Sequence, residues 1–167
     1  DQTGETVNLA ILSNDKALFV SQIESAKMMR MVAPLGSLSP LHASGAGKAL
    51  LAALDIEDRT QVIDGLVFDA LTDKTLQTKD GLTREIHQII EEGRSYDREE
   101  HVAGMQCVAA PVFNELGMPL CALSVSGPSV RVTETVLVGH GDAVAKTADL
   151  ATQLLGGIAP KHWPTDA

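Results

Sequence analysis

The chain has 167 residues, 44% of them hydrophobic, which is enough for one filled core and too little for two ordinary domains. Thirteen Lys and Arg stand against 22 Asp and Glu, a formal charge of −9, and no window gathers basic residues with aromatics, which argues against a nucleic-acid surface on this chain. The longest apolar runs, 49–54 and 107–113, fall far short of the roughly 18 residues of a membrane span, so a soluble, cytoplasmic protein with no membrane partner is expected.

Residues 6–12 and 17–23 are apolar, β-branched runs separated by Ser13-Asn14-Asp15-Lys16, a spacing that predicts a hairpin. Residues 28–32 read as a third strand ending before Pro34 and Gly36. Small residues followed by the apolar stripe of Ala49, Leu50, Ala53 and Leu54 predict a helix over 44–54, and a second helix is expected over 57–66. Over 80–92, Leu82, Ile86, Ile89 and Ile90 recur at helical spacing, with Asp80 as the cap and Gly93 as the stop. Strands at 106–113 and 119–126 flank the turn Asn114-Glu115-Leu116-Gly117; apolar on both faces, they belong inside a sheet covered by helices. A long helix starts at Thr133, with Leu137, Val144, Ala148, Ala151 and Leu155 on one face, and ends at Gly156-Gly157. Residues 1–156 are thus expected to form one domain and 157–167 a flexible C-terminal tail. Hairpins with helices inserted between them predict an α+β fold, a central antiparallel sheet with helices packed on it.

The polar groups set into the apolar strands point to a small-ligand pocket. Ser124 and Ser126 share one face, about 7 Å apart by the strand rise, with Leu120 and Ala122 on that face too. Strand serines also bond simply to neighbouring backbone or water, which is the plainer reading. Asp97 closes a short strand-like Arg94-Ser95-Tyr96 and is followed by the charged run Arg98-Glu99-Glu100-His101, a solvated loop on the plain reading; on the functional one, Asp97 accepts a hydrogen bond from a ligand hydroxyl while Glu100 or His101 holds the loop. Cys107 either lines the pocket or reacts, and buried inert thiols are the commoner case. The fragment Gly45-Ala46-Gly47-Lys48-Ala49 lacks the spacing of a phosphate loop and its Ser or Thr, which excludes nucleotide hydrolysis. It leaves a helix start at Gly45 and Ala46 whose N–H groups can receive an anion, or a helix packed closely on the sheet; the two are compatible.

The order Gly93, Asp97, Glu100, Cys107, Val108, Ala109, Val112, Phe113, Asn114 resembles the signature of the IclR family of bacterial transcription regulators. The segments 42–52 and 125–128 also resemble that family, and the similarity runs over nearly the whole chain. What it resembles is the C-terminal effector-binding domain, which implies a GAF-like fold. The family's N-terminal winged helix-turn-helix domain is absent from this chain, so operator DNA would be a partner only through that missing domain. The run 95–101 and Ser44-Gly45-Ala46-Gly47-Lys48-Ala49 resemble the glyoxylate-responsive members, the acetate-operon and allantoin regulators. That resemblance implies a small 2-oxo acid held by Gly45 and Ala46 with Asp97, Cys107, Ser124 and Ser126 around it, and Met28, Met31 and Met105 as an apolar wall. Met28 and Met105 stand where the resemblance suggests Leu, so a larger aromatic or sugar acid is the alternative effector. A homodimer or tetramer is implied, with no cofactor, no metal and no enzymatic activity. Competing readings are a thiol enzyme using Cys107 or Cys121, a metal site from His42, His87, Asp97, His101 and Cys107, and a ligand-free oligomerisation module. Neither CxxC spacing nor a common zinc pattern supports the first two.

Overall fold

A computed structural model describes residues 2–164. Ten elements occur in order: β1 (Thr6–Ser13), β2 (Lys16–Ile23), β3 (Leu38–Pro40), α1 (Gly45–Ala53), α2 (Ile56–Gly65), α3 (Lys79–Glu92), β4 (Ser95–Arg98), β5 (Met105–Phe113), β6 (Pro119–Pro128) and α4 (Glu134–Leu154). The strands form one antiparallel sheet in the order β3-β2-β1-β6-β5-β4, so the expected antiparallel α+β architecture is the one observed. Asn14 enters the left-handed region at φ 54°, which closes the β1–β2 hairpin as the Asn-Asp turn predicts.

The two faces of the sheet differ in side-chain size, and that difference positions the site. Against α4 the strands present Val108, Ala110, Val112, Cys121 and Val125. Against α1 they present Ala10, Ala17, Ala109 and Ala122, so α1 lies close to the backbone of the sheet and every one of its residues is buried. Ser124, Ser126 and Cys107 continue this row of small residues toward the start of α1.

Several expectations are corrected. Residues 28–32 form no strand: β6 and β2 occupy both edges of β1, and Leu38–Pro40 takes the outer edge of β2, pairing Ala17 with Ser39. The segment is held instead by single bonds, such as the Thr6 hydroxyl donating to the Met31 carbonyl at 2.8 Å. The cap of α3 is Thr78, whose hydroxyl accepts from the Gly81 N–H at 3.1 Å; Asp80 lies inside the first turn, where its charge suits the helix dipole. Leu120 falls where the β5–β6 register shifts and is 48% exposed, away from the serine face. Leu155 lies beyond α4 and is exposed, whereas Thr152 faces the sheet and accepts the Phe113 N–H at 3.0 Å.

The described part of the tail makes specific contacts with the domain. The Gly157 N–H donates to Thr152 O at 2.7 Å, the Ile158 N–H to Asn114 O at 3.0 Å, and buried Trp163 meets Phe113 edge-on at 5.4 Å between ring centroids. A Cβ on Gly157 would stand 2.0 Å from the Phe113 carbonyl oxygen, so this crossing requires glycine. Residues 165–167 lie outside the described residues.

Candidate functional site

A cavity of about 240 Å³ opens between the start of α1, the β4–β5 edge of the sheet and the segment 31–39. That volume lies below the ~300 Å³ at which sites for drug-sized ligands begin. Three polar features meet on its wall.

The first is the start of α1. Ser44 caps the helix, its hydroxyl accepting from the Gly47 N–H at 3.1 Å and donating to Pro40 O at 2.8 Å. The Lys48 N–H already bonds Ser44 O, so the N–H groups of Gly45 and Ala46 remain as the helix's free donors beside the cavity. A Cβ on Gly45 would come within 3.0 Å of Cys107 Sγ, which explains glycine there by contact with the site itself. This helix start is closely packed against the sheet. The Ser95 hydroxyl fixes it to β4 by donating to Gly45 O at 2.5 Å.

The second is Asp97. It is only 6% exposed, and its Oδ1 accepts the N–H groups of Glu100 at 2.7 Å and His101 at 3.3 Å, so it shapes the loop and lines the cavity at once. Burial first, and then the nearby Glu100 charge, push its carboxyl up to about 7. His101, also on the wall, is lowered from its ordinary value by burial and by His42.

The third is the row Cys107, Ser126 and Ser124. Cys107 pairs in register with both Asp97 on β4 and Ser126 on β6. Burial pushes its thiol up to about 12, with the Asp97 charge adding to the effect and the Ser126 and Ser124 hydroxyls opposing it. Such a thiol is a small protonated group, not a nucleophile. Ser126 lines the cavity, while Ser124 lies one register step deeper beside Ala109. The Ser124 hydroxyl is buried, and it meets the Cys107 thiol, too weak an acceptor to satisfy it. Cys121 packs on the opposite face against α4, so the two thiols do not meet.

Of the expected apolar wall, Met31 and Met105 line the cavity. Met28 does not; it is 99% exposed, because residues 28–32 are not a strand and nothing turns this side chain inward. The apolar lining also includes Phe19 of β2, Val32, Ala33, Pro34, Leu38 and Val102.

Sequence reasoning passed over Lys48. Its side chain is fully buried, and the ammonium donates to both oxygens of Glu100 at 2.7 Å and to Glu85 at 3.0 Å. A lone Lys within Ala46-Gly47-Lys48-Ala49-Leu50-Leu51 was the available signal, since a lysine on an otherwise apolar helix is buried only when paired. Thr72 and Thr75 were also missed; their hydroxyls hold the same loop by donating to Glu99 O at 2.7 Å and Glu100 O at 2.6 Å. Among the described residues no group of three His, Cys, Asp or Glu side chains is placed to hold a metal ion. No helix among them is long and apolar enough to cross a membrane.

Comparison with known proteins agrees with this geometry. The family described as bacterial transcriptional regulator IclR C-terminal matches residues 1–152. The HTH-type transcriptional repressor AllR of Escherichia coli K12 is 43% identical over 153 residues, covering 91% of this chain and 56% of AllR; the chain spans about half the length of the curated relatives it matches. The crystal structure of Thermotoga maritima IclR superposes with a TM-score of 0.88 at 27% identity, over 93% of this chain and 63% of that one. The inducer-binding domain of an Acinetobacter PobR double mutant, solved with 3-hydroxybenzoic acid, superposes with a TM-score of 0.79 at 25% identity over 92% and 89%. The chain belongs to the IclR family of transcription regulators, as its C-terminal effector-binding domain.

Proposed function

We propose that the cavity is the effector site and that it takes a small carboxylic acid of the glyoxylate or pyruvate type. One observation carries this reading: free helix N–H groups, a buried Asp97 and the Ser126 hydroxyl converge on a single cavity of about 240 Å³ that also has an apolar side formed by Phe19, Met31, Val32 and Met105. The ligand carboxylate sits at Gly45 and Ala46, where the helix dipole favours negative charge. Its 2-oxo group faces Ser126 and Cys107, and the poorly satisfied Ser124 hydroxyl below supports this polar row. Met31 and Met105 close the apolar side.

Regulation follows from differential affinity. The acid must bind one arrangement of the assembled regulator better than another, and DNA reading, which falls to a segment outside this chain, responds to that bias. A homodimer or tetramer in the cytoplasm is the setting this reading requires. The alternative effector is a larger aromatic acid in the same cavity, favoured by the adaptable Met31 and Met105 and by the hydroxybenzoate found with the PobR domain.

A thermal-unfolding screen with glyoxylate, pyruvate, 3-hydroxybenzoate and gluconate distinguishes these readings. A ligand at about 100 times its dissociation constant adds roughly 2.7 kcal/mol to the native state. The expected result is a selective rise with glyoxylate or pyruvate that is lost in Ser124→Ala/Ser126→Ala. A rise with 3-hydroxybenzoate alone replaces the effector, and unchanged affinity in the double variant removes the serines from the site.

A further inference from the structure

The wall of the cavity bears an acidic side chain and no Lys or Arg, although the proposed effector is itself an acid. Each cation near Asp97 is already committed. Lys48 of α1 gives its ammonium to Glu100 at 2.7 Å and to Glu85 of α3 at 3.0 Å. Arg98 turns to the other face of the sheet, where it holds Glu134 of α4 at 2.7 Å and lies over the Tyr96 ring. His101 is held toward its neutral form by burial and by His42. Burial pushes the Cys107 thiol of β5 up to about 12, its neighbour Gln106 is uncharged, and β6 contributes only the Ser126 hydroxyl. The start of α1 offers favourable potential for one anion, not for two.

An incoming carboxylate therefore stands in a buried site beside the Asp97 carboxylate with no cation between them. Two like charges so placed do not both stay ionised. Among the described residues Asp97 Oδ1 accepts two backbone N–H groups, and no donor bonds Oδ2, which leaves that oxygen to carry a proton. Resting on the assignment of this cavity as an acid-binding effector site, we propose that it takes its acid together with one proton, shared between Asp97 Oδ2 and the ligand, so that Asp97 binds as a hydrogen-bond donor. The site then accepts one negative charge and only one. Monocarboxylates enter, whereas a dicarboxylate brings a second charge that nothing on the wall meets. Because Asp97 is pushed up to about 7 in the empty site, this proton is available near neutral pH.

Linkage fixes the signs. Below Asp97's folded pKa the site is already protonated and affinity is flat; above it, each pH unit weakens binding about tenfold. Calorimetry of glyoxylate binding at about pH 6 and about pH 8.5, each in two buffers of different ionisation enthalpy, reads both proton uptake and affinity. The expected result is close to one proton taken up per ligand at the higher pH, affinity roughly 30-fold weaker there, and negligible binding of oxalate, the near-isosteric dianion. Asp97→Asn, which keeps an acceptor for the loop and a donor for the ligand, removes the uptake and flattens the pH profile. Glyoxylate binding without proton uptake in the parent protein overturns the proposal and leaves the effector reading standing. Uptake that persists in Asp97→Asn places the proton on His101 and overturns it as well. If neither glyoxylate nor pyruvate binds at either pH, the effector reading falls and takes the proposal with it.

Discussion

Replacing Lys48 by Met keeps the length of the side chain and removes its charge, leaving Glu100 without the partner that meets both its oxygens at 2.7 Å. Lys48 is fully buried and the Glu100 side chain only 10% exposed, so the stranded carboxylate cannot turn to water without breaking the loop that Thr72 and Thr75 hold. Breaking a buried pair by removing one member costs about 3–5 kcal/mol. The second contact, to the quarter-exposed Glu85, adds little. Against a net stability of roughly 5–15 kcal/mol this is a large fraction, and for a domain of this size it corresponds to a fall of roughly 6–20 °C in melting temperature. The loss depends on pH with a definite sign. Burial already raises Glu100 above its ordinary value even with Lys48 beside it. Without Lys48 it rises further, so the variant loses stability as pH climbs from the unfolded value toward that higher folded one. Urea unfolding of Lys48→Met at about pH 5 and about pH 8 therefore shows the larger deficit at the higher pH. Lys48→Met/Glu100→Leu recovers most of it, because an apolar pair does not strand a charge. A deficit below about 1 kcal/mol at the higher pH, or a double variant no better than the single one, refutes this account of the pair.

Asp97→Asn is expected to raise the melting temperature of the ligand-free domain near pH 8 and to change it little near pH 4. The reason is that Asp97 titrates at about 7 when folded, so its ionisation penalises the fold progressively as pH rises from 3.8 to about 7; equal shifts at both pH values would contradict it. Cys107 should react with iodoacetamide in the native domain roughly a thousandfold more slowly than an ordinary thiol near pH 8, since its thiolate is scarce. Fast native labelling confined to Cys107 would contradict this and favour a reactive thiol. Trp163→Ala should cost about 3 kcal/mol in urea unfolding, because the ring is buried against Phe113; a cost under about 0.5 kcal/mol would mean the tail is as loose as its sequence suggests. Ser124→Ala alone should cost the domain less than about 1 kcal/mol, its buried hydroxyl meeting the weakly accepting Cys107 thiol, and a larger loss would reveal a stronger hydrogen bond there.

The parts of this fold that periodicity determines were legible: the β1–β2 hairpin with left-handed Asn14, α3 with its Gly93 stop at φ 72°, and the β5–β6 pair. What failed depended on competition for strand edges. Residues 28–32 have strand-like composition, yet three residues at 38–40 take the only edge of β2 that was open, and Met28 points to solvent as a result. The charged run after Asp97 reads as a solvated loop on composition. It is buried at Asp97 and Glu100 because Lys48, some fifty positions earlier in the chain, meets it in space, and a single sequence does not disclose that pairing. The tail has the composition of a loose end, and only the edge of Phe113 makes Trp163 part of the core.

Several unfavourable features of the molecule lie around one cavity. Asp97 is ionised only against burial and the Glu100 charge, Glu100 is buried with a lysine that must be desolvated to meet it, and the Ser124 hydroxyl is buried against a weak thiol acceptor. The alanine row under α1 and the valine row under α4 are apolar, and the buried Glu5 is met by both Arg131 and Lys27. A fold selected for stability alone would have replaced the groups at the cavity by apolar ones, as buried ion pairs generally permit. Their concentration around one cavity means that a ligand able to bond Ser126, accept from Asp97 and lie against the helix N–H groups relieves several penalties together. Binding then stabilises the domain by more than its small contact area alone would supply, and an acid of a few heavy atoms can bias the arrangement of a much larger assembly.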